Sequence, residues 1–331
     1  MTWTLVTGGA GTVGTELVRT LLKRDRSVRV LSRDEGRLAE FKLQLEAEGF
    51  SQERFRMFVG DVRDKDRVLR AMDGVSEVYH AAAMKHVDSC EYNPFETIKT
   101  NILGVQNVLE SAAASGVKSV VNMSSDKAAS PSNLMGTSKL AGERLTAYAN
   151  SYGNGCKFMS VRFGNILGSR GSVIPIWRDQ MRRGYVSVTD PHMTRYVMSV
   201  QQAVELCLLA SRGCGGEVFV LQMPVVCLDT LVKALVGQFE RAHDLSPGSI
   251  STKITGPRPG ETLDETVVTD EEAPRTAACD GYYAILPNIT FASLDFSAYK
   301  SHVRLTAARH SSDEQVLDLE KTQRLIREWG L

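Results

Sequence analysis

Near its N-terminus the chain runs from an apolar, β-branched stretch, WTLV, through Thr7-Gly8-Gly9-Ala10-Gly11-Thr12-Val13-Gly14 into a helical pattern, ELVRTLLKR. Strand, glycine turn and helix in that order make a tight unit with a particular use. A pyrophosphate needs a sharp turn, close backbone approach and the free N–H groups of a helix start, and side chains obstruct all three. A glycine cluster alone also serves as a plain structural turn. The strand before it and the helix after it favour a bound dinucleotide, with Gly8, Gly11, Thr12, Val13 and Gly14 around its phosphates.

The same alternation continues. SVRVLSR, RFRMFVGDV, EVYHAAA, SVVNMSS and KFMSVRFGNI read as strands separated by amphipathic stretches such as RVLRAMDG. Alternating strands and helices predict an α/β fold with a Rossmann-type, doubly wound parallel sheet. The stretch from Asn93 to Gly116 reads as a helix carrying Ile98, Ile102, Val105 and Leu109 on one face. After about Asn165 the pattern loosens into loops, LGSRGSVIP, TDPHMTR and TGPRPGE, where ligand contacts usually sit. Residues 1–165 are therefore expected to form the cofactor-binding domain, with a return of about 190–225 through GGEVFVLQM. Residues 166–331 form the expected smaller, partly interleaved C-terminal substrate-binding domain. A last helix is expected from Ser312, with Ser311 and Glu314 at capping-box spacing and Val316, Leu319, Ile326 and Trp329 as its apolar stripe.

Lys plus Arg equals Asp plus Glu at 39 each, so no global charge draws the chain to nucleic acid or an anionic membrane, and any anion must be bound locally. No apolar run approaches the roughly 18 residues that span a bilayer, and the first strand follows directly on the start, so a cytoplasmic protein is expected. Cys90, Cys156, Cys207, Cys214, Cys227 and Cys279 are scattered without CxxC or His spacing, which favours reduced thiols over a disulfide framework or a metal site.

The second strand ends Leu31-Ser32-Arg33-Asp34. An acidic residue about 20 positions past the glycines takes the ribose hydroxyls of NAD, whereas a small residue followed by Arg leaves room and charge for the 2′-phosphate of NADP. Ser32 and Arg33 favour NADP, with NAD through Asp34 as the alternative. Asp61, in VGDVRD, either reaches the adenine edge or forms its own turn, and Val62 and Ala81 stand beside the same groove.

GGAGTVG, HAAA at His80–Ala83, SSDK at Ser124–Lys127 and the x-x-x-Lys helix together resemble the extended short-chain dehydrogenase/reductases that act on nucleotide sugars. More closely, the chain resembles the UDP-N-acetylglucosamine 4,6-dehydratases. The similar segments are MKHVDSCEYNPFETIKTNILGVQN, SSDKAASPSNLMGTSK, VRFGNILGSRGSVIP, VTDPHMTRYVM and GPRPGE, which leave chiefly the region after about Val267 unmatched. The resemblance implies a UDP-sugar substrate, NADP, and a homodimer or larger assembly built through helices around Asn93–Ser115 and Leu134–Tyr152.

It also implies chemistry. Oxidation at C4 makes the C5 proton acidic; a base then removes that proton while an acid assists the 6-hydroxyl to leave. The resemblance assigns Asp126 as the acid and Lys127 as the base. Burial beside the nicotinamide and Lys139 is expected to lower the pKa of Lys127, and burial to raise that of Asp126. The bland alternative is a surface Asp–Lys pair. Lys139 is expected to hold the nicotinamide ribose. Met135 stands where most such enzymes carry the tyrosine that takes the proton of the oxidised hydroxyl, and a thioether cannot do so. Ser125, a water held by Lys139, and Asp126 remain candidates for that proton. Among substrate contacts the resemblance implies Arg195 and Arg258 on the diphosphate, Asn165 near the sugar phosphates, Glu261 on the nucleoside ribose, Ser172, Val173 and Pro175 in a base-enclosing loop, and Lys85 and His86 over the sugar. A 4-epimerase, or a catalytically silent binding protein motivated by Met135, are the rival readings.

Overall fold

The computed structural model describes residues 2–258, 260–289 and 291–331; Pro259, inside the GPRPGE motif, falls outside them. β1 (Trp3–Thr7), α1 (Thr12–Lys23), β2 (Ser27–Ser32), α2 (Glu35–Ala47), β3 (Phe55–Val59), α3 (Lys65–Ala71) and β4 (Val75–His80) alternate as the sequence pattern predicts. α4 (Val87–Tyr92), α5 (Pro94–Ile98) and α6 (Gly104–Ala114) lead to β5 (Ser119–Ser125), and α7 (Leu134–Tyr148) to β6 (Lys157–Phe163). Then follow β7 (Asn165–Ile166), α8 (Val173–Met181), β8 (Tyr185–Val188), β9 (Thr194–Met198), α9 (Val200–Ala210), β10 (Val218–Leu221), β11 (Val225–Cys227) and α10 (Leu228–Ala242). The chain closes with β12 (Ser251–Ile254), β13 (Thr266–Val268), β14 (Thr276–Ala278), β15 (Tyr282–Ile285), β16 (Arg309–His310) and α11 (Leu319–Glu328).

Among the described residues the main sheet has the order β14-β15-β10-β6-β5-β4-β1-β2-β3. The strands from β3 to β10 run parallel, and β15 and β14 add antiparallel at the far edge. All five residues of β1 are buried, as expected of a strand covered on both faces. Leu17, Val18 and Leu21 of α1 pack with Ala203, Val204 and Leu206 of α9 on one face; Val68 and Ala71 of α3 meet Val105, Val108 and Leu109 of α6 on the other. A separate core of Ile174, Trp177, Leu231, Leu235 and Ile326 holds the smaller lobe together. The strand order reverses between β1 and β4, where Thr7 pairs with His80, and the crevice beyond that reversal is where open sheets of this kind take ligands.

Three expectations need correction. The helix read across Asn93–Gly116 runs without interruption from Pro94 to Ala114 but is not regular: a π-helical turn over Lys99–Leu103 lies between α5 and α6. The wider turn rotates the face, so Ile98 is exposed while Val105 and Leu109 are buried. The last helix starts at Leu319, not Ser312, because Asp318 accepts the Lys321 N–H at 2.8 Å and caps it. Ser311 is instead buried, its hydroxyl shared between the Glu265 N–H and Thr194. Finally, β14 and β15 join the main sheet from a region where the sequence showed no strand returning to it.

Candidate active site

The carboxyl ends of β1, β4 and β5 deliver the glycine turn, the His80–Ala83 segment and Asp126–Lys127 to one edge of the sheet. Gly8 has φ +65°, and a Cβ there would lie 2.6 Å from the Ala82 nitrogen and 2.7 Å from the Ala81 carbonyl carbon. The backbone therefore approaches Ala81 as only glycine permits. Gly11 precedes α1 with no side-chain cap, so the N–H groups of Thr12, Val13 and Gly14 open the helix with their positive end free for an anion. This cradle fits a dinucleotide diphosphate.

At the next strand end Asp34 is already committed. Its carboxylate accepts the Arg37 N–H at 3.0 Å, capping α2, and pairs with the Arg37 guanidinium at 3.1 Å. Ser32 accepts the Asp34 N–H at 3.3 Å, and Arg33 is exposed beside them. Asp61 adopts the turn geometry: it accepts the Arg63 N–H at 3.0 Å and two guanidinium bonds at 2.9 and 2.7 Å, which hold its pKa down against the effect of burial. The Val62 side chain packs into the core, leaving its backbone as the only part able to face a cofactor.

Lys139, on α7, donates to the Met123 carbonyl at 2.7 Å. Burial lowers its pKa to about 8. Met135 is buried in the first turn of the same helix and does not line the cleft below. One turn of packing explains how this helix meets the Asp126–Lys127 segment: a Cβ on Gly136 would sit 2.3 Å from the Lys127 carbonyl oxygen. Asn101, in the π turn, was not singled out from sequence. It bonds both the N–H and the C=O of Met84 at 2.8 and 2.9 Å and the Ser138 hydroxyl at 2.9 Å, tying the loop after β4 to α7. A π turn interrupting a helix at a strand-end crevice is the structural signal for such a residue.

A cleft of about 310 Å³ opens between the lobes. It is lined by Lys85, His86, Asp126, Lys127, Asn165, Arg195, Arg258 and Glu261, all expected there, and also by Glu265, which was not. Asp126 is buried, and Ser125 donates its hydroxyl proton to it at 2.6 Å. The ammonium of Lys127 lies 3.2 Å from Asp126 and 3.1 Å from Glu265. Glu265 also accepts from Asn165 at 2.7 Å and faces the Arg195 guanidinium at 3.5 Å.

These contacts reverse the protonation expected from sequence. Burial does press the pKa of Lys127 down, but the two carboxylates outweigh it and the net direction is upward. Asp126, which burial alone would raise, is pulled below the ordinary range by Lys127. Glu265 becomes the carboxyl that most readily takes a proton, pushed up to about 7 by burial and by the neighbouring Asp126 charge. The pair accordingly rests as ammonium and carboxylate.

Other assignments shift as well. Arg195 has little left for a diphosphate: it donates to the carbonyls of Thr194, Leu263 and Thr262 at 2.8, 2.9 and 3.0 Å and faces Glu265. It acts as a clasp between β9 and the segment before β13. Arg258 is exposed at the cleft, with Asp88 at 3.8 Å. Glu261 accepts the Arg258 N–H at 2.9 Å. Lys85 donates to the Arg170 carbonyl at 2.7 Å, and His86 packs under Gly171. Ser172 caps no N–H and precedes α8, whose first turn contains Val173 and Pro175, so this segment is a helix start that does not line the cleft. Among the described residues no group of His, Cys, Asp and Glu is arranged to hold a metal, and no helix is long and apolar enough to cross a membrane.

Residues 4–287 match the family model described as polysaccharide biosynthesis protein. An uncharacterized membrane protein of Methanocaldococcus jannaschii is 40% identical over 98% of this chain and 95% of its own length. A UDP-N-acetylglucosamine 4,6-dehydratase (inverting) of Campylobacter jejuni is 39% identical over 88% of this chain and 84% of its own. A UDP-glucose 4-epimerase of Rickettsia akari is 34% identical over 97% of this chain and 94% of its own. Among solved structures, Pen from Bacillus thuringiensis superposes with a TM-score of 0.91 at 34% identity, covering 99% of this chain and 97% of that one.

Proposed function

The chain belongs to the polysaccharide biosynthesis protein family, and on that premise we propose that it is a nucleotide-sugar 4,6-dehydratase acting on UDP-N-acetylglucosamine with NADP, releasing a UDP-4-keto-6-deoxy sugar. The observation that carries the reading is the pair formed by buried Asp126 and half-buried Lys127 in the cleft, set against the Lys139 helix. A 4-epimerase needs no acid or base at C5 and C6, and has no use for that pair.

The residues present fit a bound NADP: Gly8 and the uncapped start of α1 for its diphosphate, Lys139 for the nicotinamide ribose, and exposed Arg33 for the 2′-phosphate, since Asp34 is spent on α2. When bound, that group supplies the hydride acceptor at C4 and the hydride donor at C6. The protein supplies the proton chemistry. Ser125 takes the C4-hydroxyl proton and passes its own to Asp126 over their 2.6 Å bond, filling the gap left by Met135. Asp126, now protonated, donates to the departing 6-hydroxyl, and Lys127 takes the C5 proton. Arg258 is the open cation for the substrate diphosphate, with Lys85 and His86 on the sugar side. The exposed apolar side chains of Tyr92, Phe95, Leu103 and Tyr148 on neighbouring helices support a homodimer.

Incubation of the protein with NADP and UDP-N-acetylglucosamine in deuterated water tests the reading by mass spectrometry of the sugar. The expected product has lost one water and carries deuterium at C5. A stereoisomer of unchanged mass assigns the 4-epimerase, in keeping with the relatives of that name; tight binding without turnover assigns a silent binding protein.

A further inference from the structure

Lys127 removes the C5 proton only as a neutral amine, yet the site holds it as an ammonium between two carboxylates. Its proton must leave before C5 is attacked. Asp126 lies within reach, but in the proposed reaction Asp126 is filled by the C4-hydroxyl proton arriving through Ser125. A carboxylate accepts one proton, so two departing protons need two acceptors.

We propose that Glu265 is the second acceptor: a positioning residue, delivered from the segment before β13, that takes the proton of Lys127 and so converts it to the base that attacks C5. The step breaks one N–H bond on Nζ and forms one O–H bond on Oε1, 3.1 Å away, leaving a lone pair on Lys127 and no change in total charge. The transfer stays inside the cluster. Asp126 and Lys127 face Glu265 from the end of β5, Arg195 from β9 at 3.5 Å, and the β16 end offers only the Ser311 hydroxyl, which binds the Glu265 N–H; His310 turns away to Thr266. The second Glu265 oxygen is pinned by Asn165 at 2.7 Å, so Oε1 is held toward Lys127. A resting carboxyl pushed up to about 7 is suited to gaining and losing a proton near neutrality.

This inference rests on the dehydratase reading for its chemistry but not for its first test. With glutamate side chains labelled at the carboxyl carbon, NMR titration of the resting protein should show one carboxyl titrating near neutral pH; it should vanish in Glu265→Gln and move up in Lys127→Met, which removes the ammonium. The second test is catalytic. Glu265→Gln should still reduce the cofactor when UDP-N-acetylglucosamine is added, so the near-ultraviolet absorbance of NADPH accumulates, while C5 deuterium incorporation falls roughly 100-fold. The wild-type loss of C5 exchange below about pH 7 should disappear in Glu265→Gln and return in Glu265→Asp, which keeps a carboxyl. Absence of the neutral titration overturns the proposal whether or not the sugar is turned over. So does wild-type C5 exchange in Glu265→Gln. Failure of the wild type to dehydrate any nucleotide sugar, with the titration present, refutes the dehydratase reading alone.

Discussion

Lys139 donates to the Met123 carbonyl at 2.7 Å in the resting protein, and burial holds its pKa at about 8, against an ordinary value of 10.5. That depression carries a sign. Between about 8 and 10.5 the unfolded chain binds a proton at this lysine and the folded one does not, so the folded state gains stability as pH rises through that window. Lys139→Met should therefore melt higher than wild type at pH 7, with an advantage that shrinks as pH approaches 10.5; a pH-independent difference would contradict the burial argument. The same variant should bind NADP roughly tenfold or more weakly by calorimetry, the cost of one charge-assisted hydrogen bond. At this scale the sequence was informative where side-chain type alone carries meaning. Met135 has no proton to give wherever it sits. The charge state of Lys127 was not legible, because it depends on Glu265, which stands 138 positions later.

The first turn of α7 is where an element, more than any one side chain, sets the site. Asn133 caps it by accepting the Gly136 N–H at 2.9 Å and also donates to the Gly260 carbonyl at 3.1 Å, so the helix start is joined to the chain at Gly260. Gly136→Ala would drive a methyl group to 2.3 Å from the Lys127 carbonyl oxygen and 3.2 Å from Pro131. The helix must shift outward, and a displacement near 1 Å at the reacting groups costs about 100-fold in turnover. The expected result is that loss in kcat together with weaker NADP binding, since Lys139 lies on the same helix and moves with it. Helix periodicity forecast α1 and α3, and the family resemblance forecast α7. Periodicity missed the π turn of Lys99–Leu103 and the onset of α11, since both are decided by which backbone groups find partners: Asn101 locked to Met84, and Asp318 to the Lys321 N–H.

Across the whole molecule the lobes are stapled by a buried ion triad. Arg162 on β6 is fully buried, bonded at 3.1 and 2.7 Å to Glu143 of α7 and at 2.9 and 3.0 Å to Glu272 just before β14. The paired carboxylates hold the guanidinium pKa up against its burial, and Arg162 holds that of Glu272 down. Removing one partner leaves charge uncompensated in the interior, so Glu272→Ala should cost about 3–5 kcal/mol in urea unfolding; a loss under about 1 kcal/mol would show that water relieves the site. The triad explains why a chain segment with weak strand character, β14 and β15, nevertheless completes the sheet. The sequence by itself determined the doubly wound sheet and the glycine cradle, because periodicity and backbone freedom are local properties, while the pair Asp126 and Lys127 was singled out through the family resemblance. Only the tertiary structure decided the protonation of that pair, the arrival of Glu265 and the diversion of Arg195 into a clasp, because electrostatic energy depends on distance in space and not on separation along the chain.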